Sequence, residues 1–406
     1  MALDTAFKNP FRPGAGHMPP YLAGRGAEEQ EFRRLLEQET ILENFILTGL
    51  RGVGKTVLLE KLKPIAIQER WLWVGTDLSE TISVSEANLA TRILTDLSVV
   101  TSGTEIEVGE HNTAGFTGET TKIMRSIDFA FLSNRYENTP GLVVDKLKNV
   151  LEFIWSFLKH TDRKGIVFAY DEAQNLADNA QKDQYPLSIL LDVFQSIQRK
   201  GVPFMLLLVG LPTLFPQLVE ARTYSERMFR VVSLTQLSQN DRRDAITKPV
   251  EVAKCPVKFS PRSVEVISDI SGGYPYFIQF ICREVFDIWI QRLDQGTETA
   301  IPVDAITRKL DTDFFAGRWA RSTDRQREML YVISMLENCD VEFTVQDIVD
   351  ASAAYLHKGF SNSHTNQMLL TLANSGLVYK NRHGRYSFAV PLMASFVRRQ
   401  YGDDRN

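Results

Sequence analysis

The sequence is poor in the residues that build metal and disulfide scaffolds. Its 406 residues include three cysteines, Cys255, Cys282 and Cys339, widely spaced and odd in number. No CxxC pair and no cysteine–histidine cluster occurs. That argues against a disulfide framework or a zinc site, and a reducing cytosol is the expected compartment. Also missing is any run of about 18 uninterrupted apolar residues, the length a membrane-spanning helix needs. The first twenty residues carry Pro10, Pro13, Pro19 and Pro20 and lack an apolar h-region, so they do not read as a signal peptide. A soluble, cytoplasmic protein without membrane contact is expected. Neither sign of charge dominates: 46 Lys+Arg stand against 50 Asp+Glu, a net charge of −4. That excludes a chain basic throughout. It leaves a local basic patch open, because nucleic-acid binding depends on where charge is placed. No internal repeat and no heptad run is found.

What is present is an ordinary globular balance, 44% hydrophobic and 24% charged. The length suggests two to three domains. Residues 1–23 read as an extended arm broken by prolines. From there apolar runs alternate with helical periodicity. The runs at 44–48, 71–75, 165–170, 203–209 and 230–234 read as strands, and the stretches between them mostly as helices. Runs that are apolar on both faces indicate a parallel sheet covered on both sides, an α/β core. Residues 101–137 break the rhythm. They are rich in Thr, Ser and Gly, and Glu105-Ile106-Glu107-Val108 and Ile127-Asp128-Phe129-Ala130-Phe131 both alternate, which suggests a hairpin-like insertion. After Leu234 the strand signals stop and three helices follow. From about residue 322 three more helices precede two short strands around Gly384.

The sharpest motif is Gly49-Leu50-Arg51-Gly52-Val53-Gly54-Lys55-Thr56, which fits G-x-x-x-x-G-K-[ST]. Glycines let the backbone curl so that successive N–H groups face phosphate oxygens. The helix that follows presents its N-terminus to the same anion. Lys55 would reach the β- and γ-phosphates of ATP, and the Thr56 hydroxyl would ligate Mg²⁺. The loop lies between an apolar strand and a helix, the setting this chemistry requires. A second signal is Asp171-Glu172 at the end of the 165–170 strand. A carboxylate there lies where α/β sheets bind ligands. Asp171 would hold Mg²⁺, and Glu172 would act as general base on the attacking water.

These two motifs resemble those of the AAA+ ATPases, and more closely the origin-recognition initiator branch. Further stretches carry the likeness. Pro19-Pro20-Tyr21-Leu22-Ala23-Gly24-Arg25 resembles the box that packs beside the adenine in that branch. Tyr21, Leu22 and Arg25 either touch adenine or anchor the arm. Leu208-Val209-Gly210-Leu211-Pro212-Thr213 resembles the sensor-1 strand end. Ser225 to Arg230 resembles the arginine-finger segment, and Ser271-Gly272-Gly273-Tyr274-Pro275-Tyr276 the turn that opens the sensor-2 helix. The resemblance implies a P-loop NTPase core at 1–236, a helical lid at 237–321 and a winged helix-turn-helix at 322–406. It implies a nucleotide site built from Gly49, Gly52, Val53, Gly54, Lys55, Thr56, Val57, Tyr21, Leu22, Arg25 and Pro275. The chain departs from the pattern at three places. Gly210 and Leu211 stand where the family usually carries a polar residue, leaving Thr213 as the sensor-1 candidate. Arg283 is the nearest arginine after the glycine turn. Lys55 and Asp171 lie 171 − 55 = 116 residues apart, a long span that reflects the insertion.

An arginine supplied by a neighbouring subunit can stabilise charge on a transferring phosphoryl group. Arg222, Arg227 and Arg230 are candidates, and Arg227 is favoured by position. Such an arrangement requires a homo-oligomer. In the last segment Ser361, Asn362, Ser363, His364, Asn366 and Gln367 open the third helix, the polar set a recognition helix presents to a major groove. The turn around Gly384 carries Lys380, Arg382, His383 and Arg385. From Tyr355 onward seven Lys/Arg face two Asp, so that segment is net +5. Double-stranded DNA is the expected partner there. The alternative is a signalling or regulatory NTPase whose winged helix and 101–137 insertion bind a protein. A third reading is a helper ATPase for a transposase.

Overall fold

The computed structural model describes residues 7–14, 16–111, 120–294, 300–382 and 384–403. The first elements in chain order are helix α1 (Gly26–Leu36), strand β1 (Asn44–Gly49), α2 (Lys55–Gln68), β2 (Trp71–Val74), α3 (Glu86–Thr101), β3 (Glu105–His111) and β4 (Thr120–Ser126). Then come α4 (Phe129–Asn138), α5 (Val143–Leu158), β5 (Gly165–Tyr170), α6 (Pro186–Arg199), β6 (Phe204–Gly210), α7 (Leu214–Ala221), α8 (Ser225–Met228) and β7 (Phe229–Leu234). The rest is α9 (Gln239–Val252), α10 (Pro261–Ser271), α11 (Pro275–Asp294), α12 (Val303–Leu310), α13 (Ala316–Trp319), α14 (Asp324–Ser334), β8 (Phe343–Thr344), α15 (Val345–Tyr355), α16 (Asn362–Asn374), β9 (Val378–Arg382), β10 (Arg385–Phe388) and α17 (Met393–Asp403). Among the described residues no helix is long and apolar enough to cross a membrane.

Two compact units are formed. One comprises Ala27–Thr48 and Leu59–Val232, the other Met1–Gly26, Gly49–Leu58 and Ser233–Asn406. The first is built on a five-stranded sheet ordered β2-β5-β6-β1-β7. β2 pairs with β5, β5 with β6 and β6 with β1, all parallel. Every residue of β1, β5 and β6 is buried, as central strands covered on both faces require. The register between β1 and β6 is pinned by a buried amide. Asn44 Oδ1 accepts from Gln198 Nε2 and Leu206 N, both at 2.8 Å. The pairing then runs to Thr48 opposite Gly210, while Tyr170 of β5 stands opposite Leu208. The carboxyl ends of β1, β5 and β6 therefore meet at one edge of the sheet.

The insertion corrects one expectation. β3 and β4 do pair antiparallel, from Glu105 opposite Ser126 onward. The alternating stretch from Ile127 to Phe131 is not a strand. Asp128 caps α4 by accepting from Phe131 N at 2.8 Å, and Leu132 and Tyr136 are buried one turn apart. A capped helix with an i, i+4 apolar pair outweighs five residues of alternation. Residues 112–119 of the insertion lie outside the described residues.

In the second unit α9 to α17 share one continuous apolar core. Phe315 stacks on Phe396 at 4.9 Å, and the Arg399 guanidinium bonds both Asp311 oxygens at 2.9 and 2.5 Å. These contacts seat α17 on the segment between α12 and α13. Helices α14, α15 and α16 stand beside a three-stranded sheet ordered β8-β10-β9, with both pairings antiparallel.

Candidate functional site

The loop 49–56 leaves the end of β1 and runs directly into α2. Gly52 (φ 82°) and Gly54 (φ 91°) lie in the left-handed region that only glycine enters cheaply. Gly49 is required for space: a methyl group there would lie 2.6 Å from the Leu234 carbonyl oxygen. Lys55 Nζ donates to the carbonyl oxygens of Gly49 at 2.9 Å and Leu50 at 3.1 Å, so the ammonium is folded over the loop.

Two neighbours in the same unit hold two further carbonyls of the loop. Arg25, 6% exposed, donates through Nη2 to Val53 O at 2.9 Å and to Thr235 O at 3.0 Å. Tyr276 N donates to Gly52 O at 3.1 Å, one residue after Pro275 opens α11. Tyr21 is half-buried against the apolar core of this unit, and Leu22, Thr56 and Val57 are half-buried. The arm is anchored further back, where Asn9 Nδ2 donates to Arg283 O and Asp287 Oδ1. Arg283 itself is exposed on α11. The residues of the loop fit a polyphosphate. The backbone is curled, a helix begins at its end, and a cation and a hydroxyl are adjacent.

The acidic pair belongs to the other unit. Asp171 is 2% exposed and continues β5 through backbone bonds to Thr76 and Leu78. Its Oδ1 accepts from Glu172 N at 2.7 Å. Glu172 is exposed and adopts φ 50°, ψ 34°, a left-handed conformation that costs a non-glycine residue about 1–3 kcal/mol. Its carboxylate accepts a hydrogen bond from Gln174 Nε2. Gln174 Oε1 in turn accepts from Leu211 N at 3.0 Å, just beyond β6. Thr213 makes no capping bond at the start of α7.

The three arginine candidates separate clearly. Arg222 binds Asp192 through two parallel bonds of 2.9 and 2.7 Å, and Tyr224 adds a third at 2.7 Å. Burial alone would raise the Asp192 carboxyl; the bonds from Arg222 and Tyr224 outweigh it and hold the group below its usual range. Arg230 pairs with Glu31 at 2.7 Å. Arg227 is exposed on α8 and makes no side-chain hydrogen bond or ion pair among the described residues.

Comparison with solved structures places this geometry. A Walker-type ATPase of Pyrococcus abyssi matches with a TM-score of 0.54 and 14% identity, covering 93% of this chain and 96% of that one. The ORC2 protein of Aeropyrum pernix, in its ADP form, matches with a TM-score of 0.54 and 15% identity, covering 96% and 97%. The chain has the fold of the archaeal ORC-type AAA+ ATPases. No curated protein matches its sequence. A family model described as a domain of unknown function, DUF8462, matches residues 312–397.

From Tyr355 onward the free charge differs from the sequence count. Arg399 is committed to Asp311, and Arg398 Nη1 donates to Ser334 O at 2.7 Å. Lys358, Lys380 and Arg385 remain exposed. Arg405 and His383 lie outside the described residues. The polar residues that open α16 are exposed, while Met368, Leu369 and Leu372 are buried.

Two residues near the site escaped sequence reasoning. Gln174 carried a signal, since it follows the acidic pair by two positions. Arg318 carried none. It lies on α13, where burial pushes its guanidinium below the usual range and the nearby cations Arg51 and Arg321 push the same way.

Proposed function

We propose that this chain is an ATP-binding and ATP-hydrolysing switch. The curled glycine loop at the N-terminus of α2, with Lys55 at its centre, is the observation that carries the reading. The ADP form of the similar ORC2 protein supports it. Backbone N–H groups and Lys55 hold the phosphates. Thr56 and Asp171 are the ligands offered to Mg²⁺, which when bound neutralises phosphate charge. Glu172 takes a proton from the attacking water at its carboxylate.

Arg227 is the residue offered to a neighbouring copy, because the other two arginines are already paired. Arg227→Ala is expected to leave ATP affinity within about twofold and to lower turnover of the oligomer by about 10³-fold, the lower range for a supplied arginine. Mixing it with Lys55→Ala subunits tests the role. Recovered turnover in the mixture supports action across subunits, and none counts against it.

The last 85 residues or so are read as a winged helix with α16 as its recognition element. Duplex DNA is the expected ligand. Lys380→Ala combined with Arg385→Ala should weaken duplex binding and flatten its salt slope by about 1.8, at roughly 0.9 for each phosphate left without its cation. Fluorescence anisotropy across a salt series measures both. No duplex affinity at low salt with ATP present would overturn this part. One observation favours a protein partner instead: Leu370 is 61% exposed on α16, while Arg398 and Arg399, though exposed, are already bonded to Ser334 and Asp311.

A further inference from the structure

The carboxylate of an exposed glutamate needs something to aim it. We infer that Gln174 positions Glu172 by tying its carboxylate to the carboxyl end of β6. This rests on the reading of Glu172 as general base. Among the described residues, Gln174 makes the one side-chain bond to the Glu172 carboxylate. The other end of the same amide accepts from Leu211 N at 3.0 Å.

The chemistry of the two ends fixes the bridge. A carboxylate can only accept, and a backbone N–H can only donate, so neither problem is solved without a group that does both. A primary amide does both on one rigid plane. Its oxygen must face Leu211 N–H, and its NH₂ must then face Glu172.

Gly210 shows that space is kept for this bridge. Its φ lies outside the left-handed region, so conformation does not demand glycine. A methyl group there would lie 2.5 Å from Gln174 Oε1 and 3.0 Å from Leu214 Cδ2. Any side chain at 210 evicts the amide. The end of β6 therefore carries no polar side chain of its own and receives one from the turn after β5. The left-handed backbone of Glu172 belongs to the same device, since it turns the chain back within two residues to bring the amide onto the carboxylate.

The test measures kcat and KM of ATP turnover by the full chain. Gln174→Ala is expected to lower kcat about 10-fold or more with KM within twofold, the pattern of a displaced catalytic group. Gly210→Ala should act through the same bridge, so the double variant should be no slower than the slower single. Gln174→Glu sets against Glu172 a second carboxylate that can only accept, and should lower kcat in the same way with KM little changed. A residue with only a structural role would lower the melting temperature without separating kcat from KM. Unchanged kcat in both Gln174 variants, or additive losses in the double variant, overturn the positioning role. Those results leave the base intact provided Glu172→Gln stops turnover. Native turnover in Glu172→Gln overturns the base reading instead, and the positioning role with it.

Discussion

Lys55→Ala is expected to weaken ATP binding by about 10²- to 10⁴-fold. Lys55 Nζ donates to two carbonyl oxygens of its own loop, those of Gly49 and Leu50. A polyphosphate offers it charged acceptors in their place. Hydrogen bonds to charged groups contribute about 1.5–3 kcal/mol each, so two come to about 3–6 kcal/mol. At about 1.4 kcal/mol per decade that gives the stated range. Titration calorimetry with ATP and with ADP reads it directly. Affinity within threefold of the native chain would remove the phosphate role from Lys55. A nucleotide-free melting curve serves as the control, because the variant also leaves two loop carbonyls without their donor.

Glu172→Gln is expected to separate binding from turnover. The amide is isosteric and cannot take a proton from water. Its variant should bind ATP normally and hydrolyse it about 10²- to 10⁴-fold more slowly, the range for a positioned general base. Single-turnover hydrolysis with saturating ATP isolates the step. Undiminished hydrolysis would refute the assignment. The two substitutions are complementary: the first removes the ligand, the second traps it.

Much of this was legible in the sequence. Strands β1, β5 and β6 are uninterrupted apolar runs, because a strand buried on both faces has no polar side to show. The phosphate loop was legible because its glycines are dictated by backbone geometry, a local cause. The misread stretch from Ile127 to Phe131 has the opposite character. Its alternation is real, but the Asp128 cap and the buried Leu132 decide the outcome, and burial is set by α3 and α5. Arg25, expected either to touch adenine or to anchor the arm, grips the backbone of Val53, a partner 28 residues away. Gln174 and Leu211 are 37 residues apart, and no local pattern announces their bond. The paired states of Arg222, Arg230 and Arg399 are of the same kind. Charge is visible in a sequence, whereas its neutralising partner is a product of the fold.

The bond from Tyr276 N to Gly52 O has a thermodynamic consequence. It joins the phosphate loop to α11, and α11 shares its core with every helix through α17. A ligand that binds the loop only in its folded form stabilises all that unfolds together with it, by an amount set by its concentration relative to its dissociation constant. On the proposed reading nucleotide is then a folding cofactor for the C-terminal segment, and its free concentration sets how firmly the helices far downstream of the loop are held in their native state.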